Sequence, residues 1–171
     1  NNPVFGDKLD QSLSKEESMF LTTKCIPQRP LQLKINKKIT RVVSETEHGK
    51  SPDMTDDLDK ICVGSIEEFF KENPDEPNKI RIEKDIIAKS ERMNPENERI
   101  RKHLKDNKDT LDPKEKIELR KQLKQTPIEA MRSAVMGRLT ELGVVDWEIN
   151  SNSRSEYKIA NKELADSLMN M

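Results

Sequence analysis

Few residues in this chain are of types that do chemistry, and their spacing does not bring them together. Histidine occurs only at His48 and His103. Neither stands at a spacing that pairs it with a nucleophile or carboxylate for base catalysis, so each reads as a solvated side chain. Cys25 and Cys62 are far apart and show no metal-ligand spacing. They read as reduced thiols, which points to the cytoplasm or nucleus. Gly49-Lys50-Ser51 ends like a phosphate-binding loop but lacks the upstream glycine. Asp53, Asp56, Asp57 and Asp59 form a carboxylate cluster. A calcium loop also needs a turn glycine and a distal Glu, and Gly64 stands too far along. Asp106, Asp109 and Asp112 fail the same test. Five glycines in 171 residues leave little material for nucleotide-cradling loops. The expectation is a chain with no catalysis, no metal and no cofactor.

Binding chemistry is better represented. Lys114, Lys116, Arg120, Lys121 and Lys124 form a basic cluster suited to phosphate, with Arg154 and Lys158 as two further cations. Phe69 and Phe70 are adjacent in a chain that is only 4% aromatic. They read as anchors, either in the chain's own core or in a partner groove.

Composition sets the frame for these residues. Apolar residues make up 32% and charged residues 37%, against roughly 45–50% and about 25% in ordinary globular domains. A small core with extended helix, arm or linker is expected. No run approaches the ~20 apolar residues of a membrane span. The start at Asn1, with no apolar leader, reads as a fragment or a processed chain. Residues 50–77 hold three Lys or Arg against nine Asp or Glu, whereas residues 79–124 hold fifteen against ten. An acidic block followed by a basic block reads as solvated helix faces or as contacts for two partners.

The elements follow from local signals. Residues 10–21 read as a short helix, broken by Pro27 and Pro30. Leu31, Leu33 and Ile35 alternate with polar residues, which predicts a strand that must pair with an edge elsewhere. Residues 44–60 read as a polar linker. Residues 61–72 read as a helix with Ser65 and Glu68 as capping box. A helix over 79–93 is expected, then a new one opened by Asn94-Pro95 and running to about Asn107. Asp112-Pro113 and Thr126-Pro127 each open a further helix. The second of these places Ile128, Met131, Val135, Leu139 and Leu142 on one face and ends at Gly143. Residues 144–149 and 156–160 read as a hairpin, and Asn161–Met169 as a last helix.

Helix, turn, helix, Gly143 and hairpin, with the run Arg138-Leu139-Thr140-Glu141-Leu142-Gly143-Val144-Val145, resemble a winged helix over about residues 96–171. The resemblance implies nucleic acid as one partner. The third helix argues the other way. Its outward crest carries Glu129, Ala130, Ser133, Gly137, Thr140 and Glu141 and is not basic. Ala130, Ser133 and Gly137 leave room there for a second backbone.

The expected fold is mainly α with a small β-hairpin. An extended arm and acidic linker (1–60), short helices (61–93) and a winged-helix-like domain (94–171) come one after another. The expected function is a non-catalytic adaptor or assembly subunit in a larger protein complex. Its contacts are expected through Leu31, Leu33, Ile35, Phe69, Phe70, Ala130, Ser133 and Gly137. The alternative is a nucleic-acid-binding factor using the basic helices 79–124. No membrane partner is expected.

Overall fold

A computed structural model describes residues 13–25, 29–46, 55–149 and 155–171. In chain order the elements are α1 (Lys15–Phe20, continued by a π-helical turn, Leu21–Cys25), α2 (Pro30–Glu45), α3 (Thr55–Glu72), α4 (Lys79–Ile82, continued by a π-helical turn, Glu83–Ala88), α5 (Lys89–Asp106), α6 (Pro113–Gln122), α7 (Pro127–Glu141), β1 (Val145–Ile149), β2 (Ser155–Ile159) and α8 (Lys162–Met169). The described residues are mainly helical, with one two-stranded antiparallel hairpin. They fall into two compact units. One holds the chain up to Glu72 together with Arg132–Met171, and the other is Asn73–Met131.

The first unit is built on α2. The strand expected at Leu31, Leu33 and Ile35 is helix instead. Pro30 opens it at the first position, where a missing N–H costs nothing. Ile35, Ile39 and Val43, spaced four apart, then fall on one buried stripe. Five residues of alternation fit a strand, but the longer run fits only a helix. α2 packs against α3, α8 and β2. Helix α1 starts at Lys15, capped by a reciprocal box between Ser14 and Glu17; the expected start at Asp10 lies outside the described residues.

α3 begins six residues before the expected start at 61, so Ser65 is not its cap but a buried mid-helix residue. Asp56 and Asp57 occupy its first turn, where negative charge meets the positive helix end. Of the expected linker 44–60, residues 55–60 are therefore helix, and residues 47–54, with His48 and the Gly49-Lys50-Ser51 run, lie outside the described residues. Leu58, Cys62, Ile66, Phe69 and Phe70 face inward. Burial pushes the Cys62 thiol up to about 12, with the nearby Asp59 carboxylate adding to it. A thiol so placed is a packing group, not a nucleophile. Asp59 accepts a hydrogen bond from Arg132 Nε at 2.9 Å, which ties α3 to α7. Both partners are largely buried, so this pair is screened less than a surface one.

In the second unit, the expected break at Pro95 is absent and α5 runs through it. The helix is anchored beyond that point by Ile100 and by Asn97, both buried. Asn97 donates to the carbonyl of Lys124 at 2.8 Å and accepts from its N–H at 3.2 Å. The N-terminus of α7 is closed just as fully. Pro127 has no N–H, Ile128 N–H donates to Ser90 Oγ at 3.1 Å, and Glu129 N–H donates to Thr126 Oγ1 at 3.2 Å. Asp112 caps α6 through Glu115 N–H as expected.

The remainder of α7, the hairpin and the last helix match expectation. Val135, Leu139 and Leu142 are buried on the apolar stripe. Gly143 ends the helix at φ +77°, a left-handed conformation that favours glycine. β1 pairs with β2 in the register Val145–Ile159, Trp147–Tyr157, Ile149–Ser155. Asn161 caps α8 through Leu164 N–H.

Lys34 reaches Glu68 and Glu72 at 3.0 Å each across α2 and α3, and Lys38 also donates to Glu68. Hydrogen bonds from Lys38 and Lys34 hold the Glu68 carboxyl down at about 2, against an ordinary 4.5. A carboxyl lowered on folding stabilises above its unfolded value and loses that stabilisation as pH falls through its folded value. The melting temperature is therefore expected to drop between pH 4.5 and 2 by more in the wild type than in Lys38→Met, read by circular dichroism. Superimposable profiles would remove the network from the stability of this helix pair.

Candidate functional site

The residues singled out in sequence scatter. Ile35 is buried in α2, with Leu31 and Leu33 half-buried on the same helix. Phe69 and Phe70 are buried at the end of α3, their ring centroids 5.8 Å apart at 59°. Both therefore belong to the chain's own core, and the partner-groove alternative for them falls. His103 contacts the side-chain amide of Asn107, the residue that follows its helix, at 3.2 Å. Arg154 lies outside the described residues.

Ala130, Ser133 and Gly137 are exposed on α7. A methyl group added at Gly137 would meet nothing within 4 Å. No packing among the described residues asks for glycine there. Glu129 departs from the expected crest: its carboxylate approaches Thr126 Oγ1 at 3.2 Å and Arg101 at 3.7 Å and is drawn inward. The basic cluster is divided as well. α6 buries no residue, and Lys114, Arg120, Lys121 and Lys124 are exposed with Lys116 half-buried. Lys121 pairs with Glu118 at 3.6 Å, and Lys158 on β2 pairs with Glu148 at 3.7 Å.

The surface that stands out is one that sequence reasoning did not single out. Val145, Trp147 and Ile149 share one face of β1, since side chains alternate along a strand. Val145 is fully buried at the base of the hairpin, Trp147 is 49% exposed and Ile149 62% exposed. Tyr157 stands opposite Trp147 on the same face, half-buried. The chain's only Trp and only Tyr thus form a cross-strand pair leading outward from the core. A readable signal existed. Apolar Val145, Trp147 and Ile149 alternate with acidic Asp146 and Glu148, so one face is apolar and the other charged.

The charged face of the hairpin borders a groove of about 740 Å³ between the end of α2, β2 and α8. Val43, Ile159 and Met169 give it an apolar lining, and Asp146, Glu148 and Glu156 an acidic side. Glu148 stands directly opposite Glu156 in the ladder, and like charges so placed repel. Lys158, paired with Glu148, is the hairpin's own cation on this face among the described residues.

No group of three or more His, Cys, Asp or Glu placed to hold a metal occurs among the described residues. No described helix is long and apolar enough to cross a membrane. Comparison with protein-family models, curated proteins and solved structures finds no match to this chain.

The exposure of the hairpin face is directly measurable, because Trp147 is the sole indole. Native protein is expected to be quenched readily by acrylamide, with emission close to that of solvated tryptophan. Ile149→Ser is expected to change unfolding free energy by less than about 0.5 kcal/mol, as exposed substitutions do. Strong protection of Trp147, or a loss of several times that size, would place this face in a core.

Proposed function

We propose that the chain is a non-catalytic adaptor or assembly subunit, and that the β1–β2 hairpin docks it on a larger protein partner. One observation carries the reading. Trp147 and Ile149 stand exposed, side by side, on a hairpin whose base is locked into the core. Trp and Tyr are the side chains that most often dominate binding energy when a partner desolvates them. A rigid base lowers the entropy lost on docking. Ser133 and Gly137 on α7 are exposed as well. The order α5, α6, α7, β1, β2 is compatible with the winged-helix resemblance, which this reading uses only as an architecture. With Cys25 and Cys62 both free thiols, the proposed setting is the cytoplasm or nucleus.

The test is co-purification from the source cell. The double variant Trp147→Ala, Ile149→Ala is expected to lose the associated protein while keeping the wild-type melting temperature. Retention of that protein at wild-type yield would overturn docking through the hairpin.

A second reading has its own observation. Helix α6 buries no residue, and its cations Lys114, Arg120 and Lys121 face solvent. A helix so free of packing duties is available to a phosphate backbone. If nucleic acid is the partner, affinity for a DNA duplex should fall by ~10³ or more between 50 and 200 mM salt. The docking reading expects no tight binding at the lower salt. Steep salt dependence, lost on Lys114→Glu with Lys121→Glu, would reverse the order of the two readings.

A further inference from the structure

The hairpin has two edges, and they differ. β2 packs on α2, whereas β1 is exposed at every residue after Val145. The hydrogen-bond alternation fixes which groups of β1 point away from β2. Ala160 N–H donates to the Val144 carbonyl, which makes Val144 and Ala160 a bonded pair. The bonded pairs therefore continue at Asp146–Lys158 and Glu148–Glu156. The N–H and C=O of Trp147 and Ile149 then face the open edge, while those of Val145 point the same way but are buried. Among the described residues no backbone bond joins them to another segment.

An open edge of this kind is a template for another strand, and the first candidate is a second copy of β1. Antiparallel self-pairing centred on Trp147 sets Asp146 of each copy opposite Glu148 of the other. Both such pairs are acid against acid on one face, which disfavours the dimer. The same acids favour a basic strand. They share their face with Glu156, and Lys158 is the cation that the hairpin supplies there among the described residues.

We infer that the open edge of β1 accepts an extended peptide of alternating apolar and basic residues as a third, antiparallel strand. The inference rests on the docking reading and deepens it by naming the partner's chemistry. Apolar residues of the peptide lie beside Trp147 and Ile149. Basic residues lie beside Asp146 and Glu148. Main-chain bonds to Trp147 and Ile149 supply affinity, and the alternation supplies specificity.

The full chain is titrated with capped peptides of alternating valine and lysine, or valine and glutamate, and read by Trp147 emission. The lysine peptide is expected to bind at least ~10-fold more tightly. In an antiparallel strand the valine amides opposite Trp147 point at β1 and the lysine amides point away. N-methylation of the valine amides is therefore expected to weaken binding ~10-fold or more, while N-methylation of the lysine amides leaves it unchanged. The variant Asp146→Lys, Glu148→Lys is expected to prefer the glutamate peptide. Should that variant fail to fold, Asp146→Asn with Glu148→Gln is expected to bind both peptides alike. No lysine-peptide binding, indifference to valine N-methylation, or a preference unmoved by either variant would each overturn strand addition. If the peptides fail but the Trp147→Ala, Ile149→Ala variant still loses its co-purifying protein, docking stands and only the strand geometry falls. If that variant keeps the protein, the docking reading falls as well.

Discussion

Burial of the stripe Ile35, Ile39 and Val43 on α2 is the interaction on which the first unit depends. Each side chain taken wholly from water contributes about 1.5–3 kcal/mol, and α2 is the helix against which α3, α8 and β2 all pack. The other stabilising contacts of the unit trim this arrangement rather than create it. The Lys34, Lys38, Glu68 and Glu72 pairs lie mostly toward solvent, where water and salt screen ion pairs. The Asp59–Arg132 pair is better shielded and fixes how α7 meets α3. Through its contact with β2, α2 also holds the base of the hairpin, and so decides where Trp147 emerges.

Legibility in the sequence followed the range over which each signal acts. Asp112-Pro113, Thr126-Pro127, Asn161 and Gly143 mark helix ends through bonds spanning a few residues, and each boundary stands where those residues placed it. The hairpin was equally local, since its alternation is complete within each strand. Leu31 to Ile35 misled for the same reason. Five residues satisfy a strand period, and only continuation through Ile39 and Val43 separates it from a helix. Ser65 and Pro95 carry end signals that tertiary packing overrides. Burial of Leu58 and Cys62 extends α3 past Ser65, and the Asn97 and Ile100 anchors hold α5 together past Pro95.

The candidate site was less legible than the fold. A side chain's type says little about whether its neighbours leave it in water. Phe69 and Phe70 read as anchors because aromatic residues are scarce in this chain, and Ile35 as part of a strand in need of an edge, yet all three lie in the core. Trp147 has the same chemistry on the other side of that boundary. What separates them is position along an element. The Phe pair lies on the inward side of α3, whereas β1 leaves the core after a single residue. The acids Asp146 and Glu148 were visible as the polar half of an alternating strand. Their meaning as guards of an open edge came only with the register.

The first unit is also discontinuous along the chain, and this sets the order in which it is made. α2 is complete at Glu45, but the hairpin and α8 that cover it lie roughly 100 to 125 residues later. At a translation rate of about 5–20 residues per second, α2 waits on the order of ten seconds for those partners. During that interval the stripe of Ile35, Ile39 and Val43 has α3 for cover, because β2 and α8 are not yet made. As the basic block 79–124 emerges it offsets the acidic block 50–77, so net charge does little to hold unfinished chains apart. The flank of α2 awaiting β2 and α8 is thus where a ribosome-bound intermediate is most open to association.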